Sequence, residues 1–220
     1  MGFDYRVLVQ YLPELAQGLQ WTLILCFGAL AIGIPLGLLA CAGKMLRTGP
    51  FYWISIGFVD TFRTLPEMVV LFWIYYCVPL IFDIRLSPLA AGLTALSFYA
   101  GAFLAEIFRS GILSVPRGQV EAGYAIGLPV SSIWLSVVLP QALRTMSAPL
   151  ISFLTSLIKV SGLTSTIGVA EMTYQATVLS GSTYNYLEFF TAVGVVYFCM
   201  IFPLSMAAQS MERRMARRQR

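Results

Sequence analysis

The residues able to do chemistry in this chain are few and clustered. Asp60, Arg63 and Glu67 follow one another at i, i+3 and i+7, Glu106 and Arg109 stand three apart, and Lys159 precedes Ser161 by two. Residues three or four apart on a helix are neighbours, so each acid is in reach of a base. Their surroundings are apolar, and an ionisable side chain inside a membrane is costly unless it is paired or turned to a wet cavity. The first triplet is therefore expected to face inward together, and two readings stay open. Either Asp60 or Glu67 neutralises Arg63 as a structural pair, or Arg63 or Glu67 meets the carboxylate or ammonium of a zwitterion. Thr64, Ser97 and Tyr99 line the same path as hydrogen-bonding groups, or serve as packed interhelical contacts. Glu106 and Arg109 read as a gate-stabilising or surface pair. Lys159 reads either as a cation snorkelling at the outer end of a span or as a carboxylate contact. A Ser-Lys nucleophile from Ser161 and Lys159 would need an accident of loop shape to bring the two together.

What is missing narrows the chemistry further. With no histidine, the chain supplies no His-ligated metal, imidazole base or Ser-His-Asp triad. Cys26, Cys41, Cys77 and Cys199 sit singly in apolar stretches and read as small buried hydrophobes, so no metal site or disulfide is expected. A phosphate loop is excluded as well: Lys44 is followed by Met45, and Leu38 occupies the required upstream glycine position. If the protein uses ATP, a partner binds it.

Composition says where these residues sit. Of 220 residues 58% are apolar and 11% charged, against about 25% charged in soluble domains. Mean hydropathy is +0.79. These values exclude a water-soluble globular protein, a disordered chain and a disulfide scaffold, and a net charge of +4 spread over so apolar a chain is not a nucleic-acid-binding face. A spanning helix takes about 20 apolar residues, so the chain holds about five and nothing else. The expected fold class is an all-α membrane protein.

The expected spans are 20–43, 52–82, 88–108, 135–159 and 186–208, with the second interrupted by polar residues. Residues 1–17 read as an external interfacial helix, 18–211 as one membrane domain and 212–220 as a basic tail. That tail is either a headgroup anchor or a site for an acidic partner. Ten of the 14 Lys and Arg residues fall on one side: Lys44, Arg47, Arg109, Arg117, Arg144, Arg213, Arg214, Arg217, Arg218 and Arg220. The positive-inside rule makes that side cytoplasmic, the N-terminus external and the C-terminus cytoplasmic. Gly33 and Gly37 are spaced for close helix approach. No internal repeat is evident, so a two-fold transport path would need a second subunit.

The long cytoplasmic connection, 114–130, carries its own punctuation. Pro116 suits a first helical turn, and Gly127 followed by Pro129 suits a stop with glycine in the left-handed conformation. A helix this short must be held by packing. Val120, Ala122, Gly123 and Tyr124 offer a compact surface for docking into a partner's cleft.

The same stretch resembles the permease subunits of bacterial ABC importers, marked by E-A-A, three residues, G, nine residues, I-x-L-P. Here the pattern is Glu121-Ala122-Gly123, Gly127 and Val137-Val138-Leu139-Pro140. The branch for polar amino acids is the nearer match: Phe62-Arg63-Thr64-Leu65-Pro66 opens the second span, 103–122 reads FLAEIFRSGILSVPRGQVEA, and LPQALR (139–144) and TIGVAEM (166–172) continue it. The resemblance covers nearly the whole chain. It implies a type I ABC importer permease fold with a coupling helix at Glu121, Ala122, Gly123, Tyr124 and Gly127, supported by Leu139 and Pro140. It also implies a second permease, identical or a sister, two ATPase subunits that hold ATP and Mg, an external solute-binding protein, an amino-acid substrate and a bacterial inner-membrane location. No cofactor is expected on this chain. ATP-driven closure of the ATPases would move the coupling helices together and switch the pore between inward-open and outward-open.

Three positions depart from the pattern of similar permeases. Val160 stands where K-D-T-S-L has its acid, Ser152-Phe153 where N-E is frequent, and Glu67 where an apolar residue follows the proline. These leave the substrate open. An ion-coupled carrier or channel using Asp60, Glu67 and Glu106, or a membrane anchor for a cytoplasmic complex, remain as other classes, and dependence on ATP separates the first of these from the importer.

Overall fold

Long runs of Leu, Ala, Ile and Gly form helices in apolar surroundings, where every backbone polar group must be satisfied within its own segment. In this chain the breaks fall at prolines and turn residues. A computed structural model describes residues 5–218, with side chains as far as Arg213. A short helix α1 (Tyr5–Gln10) precedes α2 (Leu12–Met45), and α3 (Pro50–Thr64) leads to α4 (Glu67–Phe72), a π-helical turn at Trp73–Cys77 and α5 (Val78–Phe82). The central α6 (Pro88–Leu113) is followed by α7 (Arg117–Ala125). Then come α8 (Val130–Ser132), a second π turn (Ile133–Val138), α9 (Leu139–Ser161) and a 3-10 turn (Gly162–Ile167). Helices α10 (Met172–Thr183) and α11 (Tyr186–Arg218) close the chain.

Four of these segments, Leu12–Met45, Pro88–Leu113, Val130–Ile167 and Tyr186–Arg213, are each long and apolar enough to cross a membrane. The fifth expected span is broken. Leu65 and Pro66 adopt extended backbone, because a residue before proline is driven out of the α region. Pro50–Thr64 and Glu67–Phe82 consequently meet at 111°. Asp60 and Arg63 therefore do not share a helical face with Glu67, which corrects the reading of an i, i+3, i+7 triplet. The N-terminal reading also changes: among the described residues, 5–10 form α1 while 12–17 belong to the first span. Residues 1–4 and the last two residues of the basic tail lie outside the described residues.

Both π turns end two residues before a proline, Pro79 and Pro140. A proline donates no hydrogen bond and its ring pushes on the carbonyl four residues back, and widening the helix by one residue accommodates both effects.

Helix α6 is the centre of the bundle. In its most apolar stretch 61% of residues are buried, against 11% for α11, which lies at the periphery. The main core draws Leu25 and Ala29 from α2, Val70 and Leu71 from α4, Leu96, Ala100 and Leu104 from α6, and Phe153 and Leu157 from α9. Cys26 and Cys41 are buried as expected, whereas Cys199 is exposed because α11 packs on one side only.

The glycine spacing in α2 is used within the chain. A Cβ at Gly33 would stand 2.6 Å from the Ala100 Cβ and 3.2 Å from the Gly101 nitrogen, and one at Gly37 would stand 2.9 Å from the Leu104 Cβ. Backbone and short side chains offer little give there, so overpacking costs about 1–3 kcal/mol. Gly33→Leu is expected to lower stability by at least that amount in detergent unfolding, whereas Gly57→Leu, with nothing within 4 Å, leaves it unchanged.

Candidate functional site

Helix α7 is seated by its own sequence. Beyond its last turn Gly127 takes φ +76°. The Leu128 N–H donates to the Gly123 carbonyl and the Gly127 N–H to the Tyr124 carbonyl, each at 3.0 Å. This pair of bonds caps the helix end and is accessible to glycine at little strain. Gly123 is buried, since a Cβ there would lie 2.9 Å from Ile133 Cγ1. Val120 packs against the cluster of Val115, Ile133, Val138, Ala142 and Met146. These two residues hold the helix to its own chain, which corrects their assignment to an outward docking surface. The outward face is Glu121, Ala122, Tyr124 and Ile126, the last two 54% and 76% exposed.

Two polar side chains outside the expected set tie α7 to α9. The Gln141 amide donates to the Gln119 side-chain oxygen and also to the Val137 carbonyl, the latter at 2.9 Å. Leu139, 40% exposed, and Pro140 open α9 immediately after the π turn. A groove of about 330 Å³ runs beside α7, with Arg117, Glu121 and Trp134 in its lining.

A charge cluster stands toward the C-terminal ends of α2 and α6. Glu106 accepts from Arg109 Nη2 at 2.8 Å, as the spacing predicted, and Lys44 Nζ lies 2.6 Å from its other oxygen. Asp60 joins at 3.5 Å from Lys44, not from Arg63. Lys44 had been legible only as a topology residue, because its partner is 62 positions away on another helix.

The proposed pathway residues separate. The Ser97 and Ser161 hydroxyls are buried and donate to carbonyls of their own helices, Leu93 at 2.6 Å and Ile158 at 2.8 Å. Thr64, the last residue of α3, is exposed, and so is Lys159. The Arg63 guanidinium carbon sits 5.4 Å from the centroid of the Phe103 ring, a cation–π arrangement. Glu67 and Tyr99 come together on one cavity, with Val160 and Thr164 opposite.

Sequence reading passed over Glu171, which is fully buried. It caps α10 by accepting from the Tyr174 N–H at 2.8 Å, and it accepts from the Tyr197 hydroxyl at 3.1 Å. The Thr22 hydroxyl lies 3.4 Å from the same carboxylate and accepts from the Met172 N–H at 3.2 Å. One side chain thus joins α2, α10 and α11. Burial pushes its carboxyl above the ordinary value, and the hydrogen bonds it accepts oppose this only in part. The signal in sequence was an acid just ahead of a short polar helix.

Helices broken and joined in this way, with α7 between α6 and α9, define a permease of the type I ABC importer fold. Residues 33–220 match the family described as binding-protein-dependent transport system inner membrane component, and the chain belongs to that family. It is 34% identical over 216 residues to the glutamine transport system permease protein GlnP of Escherichia coli (strain K12), covering 98% of this chain and 99% of that protein. It is 29% identical over 215 residues to the arginine transport system permease protein ArtQ of Bacillus subtilis (strain 168), covering 98% of each. A chain from a crystal structure of an amino acid ABC transporter with histidines superposes with a TM-score of 0.87 at 32% identity, over 97% of this chain and 100% of that one.

Two outcomes follow from this geometry. Removing the carboxylate leaves Arg109 without its partner and Lys44 with only the exposed Asp60, so Glu106→Gln is expected to cost about 3 kcal/mol in detergent unfolding, while Asp60→Asn, at an exposed pair, costs less than about 1 kcal/mol. At Glu171 the fold favours the neutral acid. Its contribution is complete below the ordinary carboxyl value of 4.5 and is lost as pH rises through the raised value. Thermal midpoints should therefore fall with rising pH in the native protein, and this fall should flatten in Glu171→Gln, which keeps an acceptor for the Tyr174 N–H.

Proposed function

We propose that the chain is the membrane-spanning permease subunit of an ATP-driven importer that carries amino acids, a polar amino acid or close derivative, into the cytoplasm. It works in a bacterial inner membrane with its N-terminus external and its C-terminus cytoplasmic. It pairs with a second permease, identical or a sister, and receives substrate from an external solute-binding protein. Two ATPase subunits, which hold ATP and Mg, dock on the cytoplasmic side. The chain itself performs no catalysis.

The observation that carries this reading is α7. It is a short capped helix whose inner face is anchored to α9 and whose outer face leaves Tyr124 and Ile126 largely exposed among the described residues. Exposed apolar residues on a rigidly held helix suit a protein cleft. Family membership and the transport roles of the similar permeases support the same assignment.

Coupling follows from the packing. A push on α7 reaches Ile133, Val138 and Ala142 and, through Gln119 and Gln141, the start of α9. Helix α9 carries Phe153 and Leu157 into the main core. Closure of the ATPases thus tilts α9 against α6 and alternates access between the two sides of the membrane.

The test is uptake of labelled amino acids by cells expressing the whole complex. Gly127→Arg, at a left-handed position, and Ile126→Asp, on the exposed face, are each expected to lower ATP-dependent accumulation more than 10-fold, an expectation set by the loss of an apolar anchor, with membrane levels unchanged. Normal uptake by well-expressed Ile126→Asp would refute the docking assignment. Accumulation that persists after ATP depletion would make the chain an ion-coupled carrier or channel.

A further inference from the structure

The cavity between α4, α6 and the end of α9 holds one charge. Its walls are Val70 and Leu71 from α4, Ala95 and Leu96 from α6, and Val160 and Leu163 beyond. The polar groups are Glu67, the Tyr99 phenol and Thr164. Glu67 is half-buried, and among the described residues its side chain has neither an ion pair nor a hydrogen bond. A carboxylate in such a place is costly unless a cation comes to it.

The nearest basic residue in sequence does not come. Arg63 lies on the far side of the Leu65–Pro66 break with its guanidinium over Phe103, and Phe103 in turn packs on Tyr99 with centroids 4.6 Å apart. An acid and a base four residues apart would pair on a continuous helix. Here the 111° bend holds them on either side of an aromatic pair. The site thus presents a separated negative and positive group, with an apolar wall beside the negative one.

From this juxtaposition of Glu67, the Tyr99–Phe103 pair and Arg63 we infer that the membrane domain selects zwitterionic amino acids whose side chains carry no charge, with Glu67 receiving the ammonium and Arg63 the carboxylate. A substrate with a second cation finds no second acid in the cavity lining, and one with a second carboxylate finds no base in that lining, since Arg63 lies outside it over Phe103. Either would bury an unpaired charge, which is the strongest form of discrimination a site of this kind offers. In this conformation the cavity measures about 20 Å³, room for about one water. Substrate therefore enters when the α4 arm swings about the Leu65–Pro66 break. The inference rests on the importer reading and deepens it, by naming the substrate class and the residues that set it.

The experiment is equilibrium binding of labelled leucine, glutamine, arginine and glutamate to the purified permease–ATPase complex without the external binding protein, alongside ATP-driven uptake by the complete system. Leucine or glutamine is expected to bind at least 10-fold more tightly than arginine and glutamate. Glu67→Gln should weaken that binding at least 10-fold, and Arg63→Gln comparably. Glu67→Asp should restore part of it, and the thermal midpoint of each variant checks that the fold is intact. Binding of arginine or glutamate as tight as that of leucine and glutamine would overturn the inference. So would unchanged binding in Glu67→Gln, or the absence of binding by all four in a complex that transports. If the wild-type system shows no ATP-driven uptake, the importer reading itself fails and this inference goes with it.

Discussion

The close approach of α2 and α6 is the contact on which the rest of the molecule depends. Gly33 and Gly37 bring the α2 backbone against Ala100, Gly101 and Leu104, and no larger residue fits there. Because lipid tails are as apolar as leucine, helices in a membrane gain little from hiding apolar surface and much from packing closely. That contact fixes α6 in the middle of the bundle. Helix α6 then carries Tyr99 to the cavity at one level, with Phe103 packed on it, and Glu106 and Arg109 toward its C-terminal end at another. Lys44, at the end of α2, reaches Glu106 only because the two helices are in register.

The second span shows how one proline changes the electrostatics of a membrane protein. Without Pro66, the acid at position 67 would lie one turn from Arg63 and the two would cancel. With it, Asp60 turns to Lys44, Arg63 to an aromatic face and Glu67 to a cavity. The π turn at Trp73–Cys77 further on in the same arm leaves a second irregular point. Irregular backbone at membrane depth is tolerated where it is buried in protein or lines a cavity, and the inner side of this arm meets both conditions.

The three departures from the pattern of similar permeases are scattered along the chain but meet in space. Phe153 stacks on Phe103 with centroids 6.0 Å apart, and Val160 shares the cavity of Glu67. On α9 Phe153 and Val160 carry no charge, and the acid of the cavity, Glu67, stands on α4. Phe153 thereby adds aromatic surface beside the ring that carries Arg63.

Much of this was legible in the residues themselves. Apolar run length set the membrane class and four of the spans, Gly127 and Pro129 set the end of α7, and the spacing of Glu106 and Arg109 set their pair, because each depends on neighbours within about two helical turns. Other features depend on distant partners and were not legible. The bend after Leu65 was marked by Pro66, but its angle is decided by packing of α4 on α6. Burial of Gly123 and Val120 comes from Ile133 and its cluster, Lys44 needed α6 beside it, and Glu171 acquired its role from Thr22 and Tyr197, 149 and 26 residues away. Which segments are helical and membrane-sized follows from residue order alone, since backbone satisfaction and hydropathy are local. Which charge meets which follows from the packing of the helices, since electrostatic pairing depends on distance in space.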